Sequence, residues 1–492
     1  MIKLLLLLSV FVLIGCETRG ENIRELAMCE NTKLVGFGSE QDPYLIYDTH
    51  DFFNMRECNH GHYRIENDID FNESPIDLGD SVFHYGIVPI ELKFHGTLDG
   101  GNHTLYYEGD NPAHIFSSLA DGAVVKNLVF DFDVGGQAEN LISTREHYIC
   151  DDEICRDYEK GDTKVAHLHS RHGYSLITDI AYEGSVIENI AFRGNYDIKL
   201  SNHVVRGADS AFNMGLAAAE NRGIIRDIHV IGNVLYRIDN TRQNINIRYN
   251  VGNIAGTNRG EIKRVIIDGN VWIHVPYSGT NSRTGGVVGL NVGVIDHAIN
   301  NARVTNTGGV AALLRAHGRA MTGGIAGRNN RDGIIRNSVF YGHLITTAGT
   351  QLHLGGITGY SEGVIEDAFI QMSYEYTGNW TTSSSSLIGG IIADGRAIRI
   401  NNVYYIRKTP NESIDTYGQA MGNNERTNLP SSGIDTLFNN NFFSLDDWNY
   451  ADEKLPRPLF EFPPWDGYDL IIGIRDEEET DSEEEEGDDS DA

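Results

Sequence analysis

The sequence predicts an all-β fold: a single-stranded right-handed parallel β-helix with a C-terminal cap and a disordered acidic tail. Three observations predict it. Glycine is in excess, 54 of 492 residues or about 11% against a usual share of about 7%, with only 11 prolines. A glycine-punctuated phrase recurs about every 35 residues beyond residue 118. The segments between punctuation marks are four to eight residues long and β-branched, the pattern of short strands joined by small turns.

The chain opens with Met1-Ile2-Lys3, an apolar run from Leu4 to Ile14, and Gly15-Cys16. One basic residue before such a run is a secretion signal, too short to span a bilayer. Leu13-Ile14-Gly15-Cys16 resembles a bacterial lipobox. The resemblance implies a signal peptide over residues 1–15, lipid on Cys16, and a tether over residues 16–33. It also implies a membrane-anchored lipoprotein of the bacterial envelope, surface-exposed or in the outer membrane. Cys29, Cys58, Cys150 and Cys155 then remain, and four cysteines allow three pairings. An oxidising compartment favours disulfides, read here as Cys29–Cys58 and Cys150–Cys155. No CxxC spacing suggests zinc.

Residues 34–405 form the predicted β-helix. The phrase is clearest in Gly286-Val-Val-Gly289-Leu-Asn-Val-Gly293 and Gly324-Ile-Ala-Gly327-Arg-Asn-Asn-Arg-Asp-Gly333. Its marker positions are Ser118, Ile180, Ala219, Gly256, Gly289, Gly327, Gly359 and Ala393, with gaps of 62, 39, 37, 33, 38, 32 and 34. One unit is too short to enclose a core, so units must stack. A propeller would need four antiparallel strands per blade and about 40 to 50 residues, so coils fit better. Stacked columns then carry compatible chemistry. One column alternates in charge through Lys126, Glu188, Arg226, Lys263, Asp296, Arg336 and Glu366, with only Arg226–Lys263 like-charged. The next holds Asn127, Asn189, Asp227, Arg264, His297, Asn337 and Asp367, mostly residues that tolerate a left-handed corner.

The GGIAGxNxGxIxNSxxxG phrase resembles the GLUG-type repeat of bacterial surface proteins, and segments 36–46, 63–71 and 94–105 are similar to what precedes those repeats. The resemblance implies a pectin-lyase-like parallel β-helix. Proteins bearing the repeat include adhesins, peptidase accessory domains and lipoproteins. Arg264 and His297 in the Asn column, and the insertion between residues 130 and 175, depart from the pattern.

Residues 406–475 lose the repeat, and their aromatic and proline residues suit a cap over the open end of the coil. Residues 476–492 hold twelve acids and no base, which predicts a disordered tail.

The formal charge of −31 argues against nucleic acid, because a phosphate-binding protein shows a basic face. Candidate metal ligands are His167 and His169, two apart, and Asp68 and Asp70, whose oxygens would suit calcium; no other cofactor is implied. Trp272, Tyr341, Tyr360 and Trp380, with Tyr249, are candidate ligand-contacting aromatics. Asp227, Asp268, Asp296, Glu366 and Asp367 could supply two carboxylates at glycosidase spacing, but most also fit the ladders. No committed catalytic group is read. The expected function is a surface-anchored binding or adhesion protein presenting a β-helix face to glycan or protein partners, with a membrane contact through the lipid. The alternative is a polysaccharide lyase or glycoside hydrolase working in a groove along the coils.

Overall fold

The structure is a computed structural model. It describes residues 29, 32–72, 93–109, 114–134, 148–151, 154–157, 173–201, 211–239, 248–275, 281–308, 319–346, 351–376, 387–407, 448–449 and 457–458. Strands dominate it. The short helix Thr49–Asn54 is capped by the Asp48 carboxylate, which accepts from the Asp51 amide. No described helix is long and apolar enough to cross a membrane.

Each repeat contributes several short strands. Arg319–Gly323, Ala326–Asn329, Ile334–Phe340 and His343–Thr346 make up one such set. Equivalent strands of successive repeats pair in parallel. Ile187, Ile225, Ile262, Ile295, Ile335 and Ile365 follow one another in register, and all six are fully buried. The core runs along these columns, and stacked rings (Phe94 on Phe116, Phe130 on Phe192) fill the space towards the N-terminal end.

The expected single right-handed, pectin-lyase-like β-helix is corrected by the topology. Two columns that such a helix would keep as separate sheets are joined into one. Residues Val186–Phe192 of the strand Val186–Ser201 pair with Ile224–Val230, while its residues Asn195–Ser201 pair with Asn233–Asp239. At the other end, Val364–Tyr376 pairs with both Ile334–Phe340 and His343–Thr346. Between these two strands lie Glu261–Ile267 and Val294–Asn300 on one side, and Val271–Val275 and Arg303–Gly308 on the other. Ten parallel strands therefore close into a ring of hydrogen-bonded neighbours, a barrel by its pairing, within a sheet of 16 strands. The other repeat strands form two separate open parallel sheets, of eight and seven strands.

The physical reason lies at the corners. In the intermediate repeats the strand breaks where the chain turns, at Gly232, Gly269, Ala302 and Gly342. In Val186–Ser201 the corresponding Gly194 takes a φ of +91° and the ladder continues through it. In Val364–Tyr376 the corner is Gln371-Met372, with no glycine, and both residues stay paired with Ile406 and Arg407.

Along the 16-stranded sheet one column takes the left-handed conformation throughout. Asn127, Asn189, Asp227, Arg264, His297, Asn337, Asp367 and Asn402 have φ between +47° and +57°. Arg264 and His297, the two departures from the Asn/Asp pattern, adopt it as well. The pairing skips these residues: Glu188 pairs with Arg226 and Ile190 with Ile228. The result is a stacked kink, one residue in every strand, at which the inward-outward alternation slips by one while the register is kept.

The repeated glycines serve close approach. A Cβ on Gly289 would lie 2.2 Å from the Val251 amide nitrogen, and one on Gly327 would lie 2.4 Å from that of Thr284. These glycines let strands of the eight-stranded sheet press against strands of the seven-stranded sheet.

Of the C-terminal region, Trp448–Asn449 and Arg457–Pro458 are described, as a small antiparallel pair. Trp448 is buried and its indole N–H donates to Asn337 Oδ1 at 3.3 Å, so this pair lies against the flank of the ring. The acidic tail and the rest of residues 406–475 apart from Arg407 lie outside the described residues, apart from their expected start at residue 406.

Candidate functional site

Three places gather polar side chains. The first is near the N-terminus, where Cys29 and Cys58 form a disulfide with Cα atoms 4.5 Å apart. His60 Nε2 stands 3.2 Å from Cys29 Sγ, and its Nδ1 faces Asn59 Oδ1 at 3.3 Å. Among the described residues, Cys29, Cys58 and His60 are the group whose ligand atoms lie close enough together to share an ion. Thiolate and imidazole are donors for zinc or copper rather than for calcium, and sulfurs joined to each other are not thiolates.

The second is the acid set on the ring, and each member has a partner. Arg264 forks onto Asp227 with contacts of 2.6 and 2.5 Å. Asp268 lies 2.7 Å from His229 Nε2 and accepts from Asn301 at 2.8 Å. Asp296, nearly fully buried, meets His297 at 2.7 Å, Asn337 at 3.0 Å and Arg336 at 3.1 Å. Glu366 pairs with Arg399, and Asp367 accepts from Asn402 at 2.6 Å. Burial alone would push the Asp296 carboxyl up. Hydrogen bonds from His297 and Asn337, with the charges of His297 and Arg336, outweigh it and hold the group well below the ordinary carboxylate range.

The third is the crevice where the seven- and eight-stranded sheets meet. From the first sheet it is lined by the register column Asn213, Asn250, Arg283, Met321 and His353. The facing column from the second is Glu220, Thr257, Leu290, Arg328, Tyr360 and Asp394. The columns touch. Thr257 Oγ1 donates to Asn213 Oδ1 at 2.8 Å, and Asn250 donates to both. Further along, Arg328 lies over the Tyr360 ring at 4.9 Å and donates to Glu362 at 2.8 Å. His353 Nδ1 stands 3.4 Å from Asp394. Nothing in the sequence singled out this crevice, because its two columns belong to different phases of the repeat.

The residues expected to act are scattered. Asp68 is held to His103 Nδ1 at 3.2 Å and to the Thr104 amide at 2.8 Å, while Asp70 accepts from the Asn72 amide at 2.8 Å. Asp70 finishes a local turn, and Asp68 ties its segment to residues 103 and 104. Tyr249 is buried in the core, Tyr341 packs on Phe369, and Tyr360 sits in the crevice. Trp272 is 42% exposed, with its N–H on Thr307. Cys150 and Cys155 are register partners in the antiparallel pair Tyr148–Asp151 and Ile154–Asp157. Cys16, His167, His169 and Trp380 lie outside the described residues.

No protein-family model matches the chain, and no curated protein matches it either. Among solved structures, one similar chain is described as a proposed immunoglobulin A1 protease from Bacteroides ovatus. It is 14% identical over 74% of this chain and 86% of its own, with a TM-score of 0.37. That overlap is too slight to carry fold or activity across. The expected GLUG-type, pectin-lyase-like membership is thus corrected: the barrel-and-sheet topology contradicts it. The expected function is corrected with it. An adhesin face and a polysaccharide-processing groove both required a β-helix, which the closed ring replaces.

Proposed function

We propose that the protein is a structural element of the bacterial envelope, a rigid all-β body tethered to a membrane through lipid on Cys16. The observation that carries this reading is the engagement of its acids. Asp227, Asp296, Glu366 and Asp367 are each bound by a side chain from a neighbouring repeat, so they are spent on joining repeats. The buried Asn221–Asn258–Asn291–Asn329 ladder joins the same repeats from inside. A Cys29–Cys58 disulfide accords with an oxidising compartment outside the cytoplasm.

The test is genetic and biochemical. Cells lacking the protein are expected to lose resistance to detergent and osmotic shock, and the wild-type chain should restore it. Cys16→Ser should restore neither resistance nor membrane fractionation, although the purified variant folds normally. A mature protein without lipid on Cys16, or full resistance in cells lacking the chain, would overturn the proposal.

A further inference from the structure

Arg283 is the most unusual charged residue of the structure. It stands in the crevice between the two open sheets with 9% of its surface exposed. A guanidinium offers five N–H donors and cannot shed its charge near neutral pH. Here Nη1 donates to Asn250 Oδ1 at 3.2 Å, and the buried Nε has no partner. No carboxylate stands against it among the described residues. Its register neighbours are Asn250 and Met321, and in the facing sheet it lies against Gly327.

A buried charge is normally paired. Burial lowers the Arg283 pKa, and the nearby Arg328 and Arg248 charges lower it further, to about 10, so the group is still cationic at neutral pH. Arg328, next to Gly327 across the corner, spends Nη2 on Glu362 and Asn330, while its own buried Nε has no partner. Two guanidinium groups with unused donors thus share one crevice in a chain whose formal charge is −31. General attraction for anions does not account for such a place. It is a local arrangement of donors.

We propose that the crevice binds a small oxyanion, a carboxylate, phosphate or sulfate group, with Arg283 as its anchor and Arg328 as the second donor. The planar fork of Arg283 suits two oxygens of such a group, and charge-assisted bonds of this kind are the strong ones. Asn250 positions the guanidinium by accepting from Nη1, and Asn213 and Thr257 in turn hold the Asn250 amide.

Thermal unfolding of the full chain in acetate, inorganic phosphate or inorganic sulfate, against chloride at matched ionic strength, tests this. At least one of the three should raise the midpoint in a saturable way, because a ligand that binds only the folded state stabilises it. Arg283→Met should weaken that anion at least about tenfold, the loss expected of one charge-assisted fork. The same variant should unfold at a higher temperature than wild type without anion, since it removes an uncompensated buried charge. Which of the three anions acts identifies the group. No saturable response to any of them, or an equal response in Arg283→Met, overturns the proposal. Should the variant fail to fold, the Arg283 Nε–H resonance of the wild-type chain decides: a shift that saturates with anion supports the site, and an unmoved resonance refutes it.

Discussion

Asp296 shows how much one residue can carry. Three groups meet its buried carboxylate, one from its own strand and two from the next repeat. Its folded pKa lies below the unfolded value, so its contribution is complete above about pH 4 and is lost as pH falls from there toward the folded value. Asp296→Asn should therefore flatten the acid limb of stability below about pH 4, measured by urea unfolding at a series of pH values. Asp296→Ala should destabilise by about 3 kcal/mol at pH 7, because Arg336 and His297 lose their shared partner. Gly327 makes the opposite case, a residue needed for what it lacks. Gly327→Ala would place a methyl group 2.4 Å from the Thr284 nitrogen, on backbone that cannot swing away. A loss of about 3 kcal/mol is expected in denaturant unfolding, at the upper end for an overpacked site.

At the scale of elements, the ladders differ by burial. Asn258 accepts from Asn221 at 2.8 Å and donates to Asn291 at 2.9 Å, both out of water, and to the part-buried Val294 carbonyl at 3.1 Å. Asn258→Ala leaves those groups unsatisfied and should lose about 2 to 3 kcal/mol. Asn233 sits in an exposed ladder between Asn195 and Asn270. Water replaces its bonds, so Asn233→Ala should stay within about 0.5 kcal/mol in the same measurement. The N-terminal element depends on a covalent tie. The Cys29–Cys58 bridge closes a 29-residue separation, and the double Ser variant should lose about 3.6 kcal/mol by the chain-entropy relation. Amide exchange should locate the loss in Tyr44–Ile46 and His62–Ile65, the strands nearest the bridge, with the central columns still protected.

For the whole molecule, charge and pairing pull in different directions. A formal −31 repels itself, and part of that repulsion is screened as salt rises towards physiological strength. The half-buried pairs on the ring, such as Arg264 with Asp227, are screened much less. Raising ionic strength from low to physiological values should therefore raise the unfolding midpoint by a few degrees, read by calorimetry. Closure of the ring adds to this robustness, since a closed sheet exposes no edge along its ten-strand circuit.

The repeat spacing, the alternating charges and the left-handed column were all legible in the residues. Each is a local property that recurs every 32 to 39 residues between residues 180 and 393, and stacking brings like positions together automatically. Even Arg264 and His297 followed their column, because the corner geometry is imposed by neighbours on both sides. Closure was not legible. It depends on whether the chain stays paired while it turns at Gly194 and Gln371, and the hydrogen bonds of adjacent repeats decide that. The crevice was hidden for a related reason. Arg283 and Arg328 lie 45 positions apart in different strands of different repeats, and only the approach of two sheets over Gly289 and Gly327 buries one beside the other. Periodicity in the sequence determined which residues stack, whereas tertiary structure alone decided which stacks face each other.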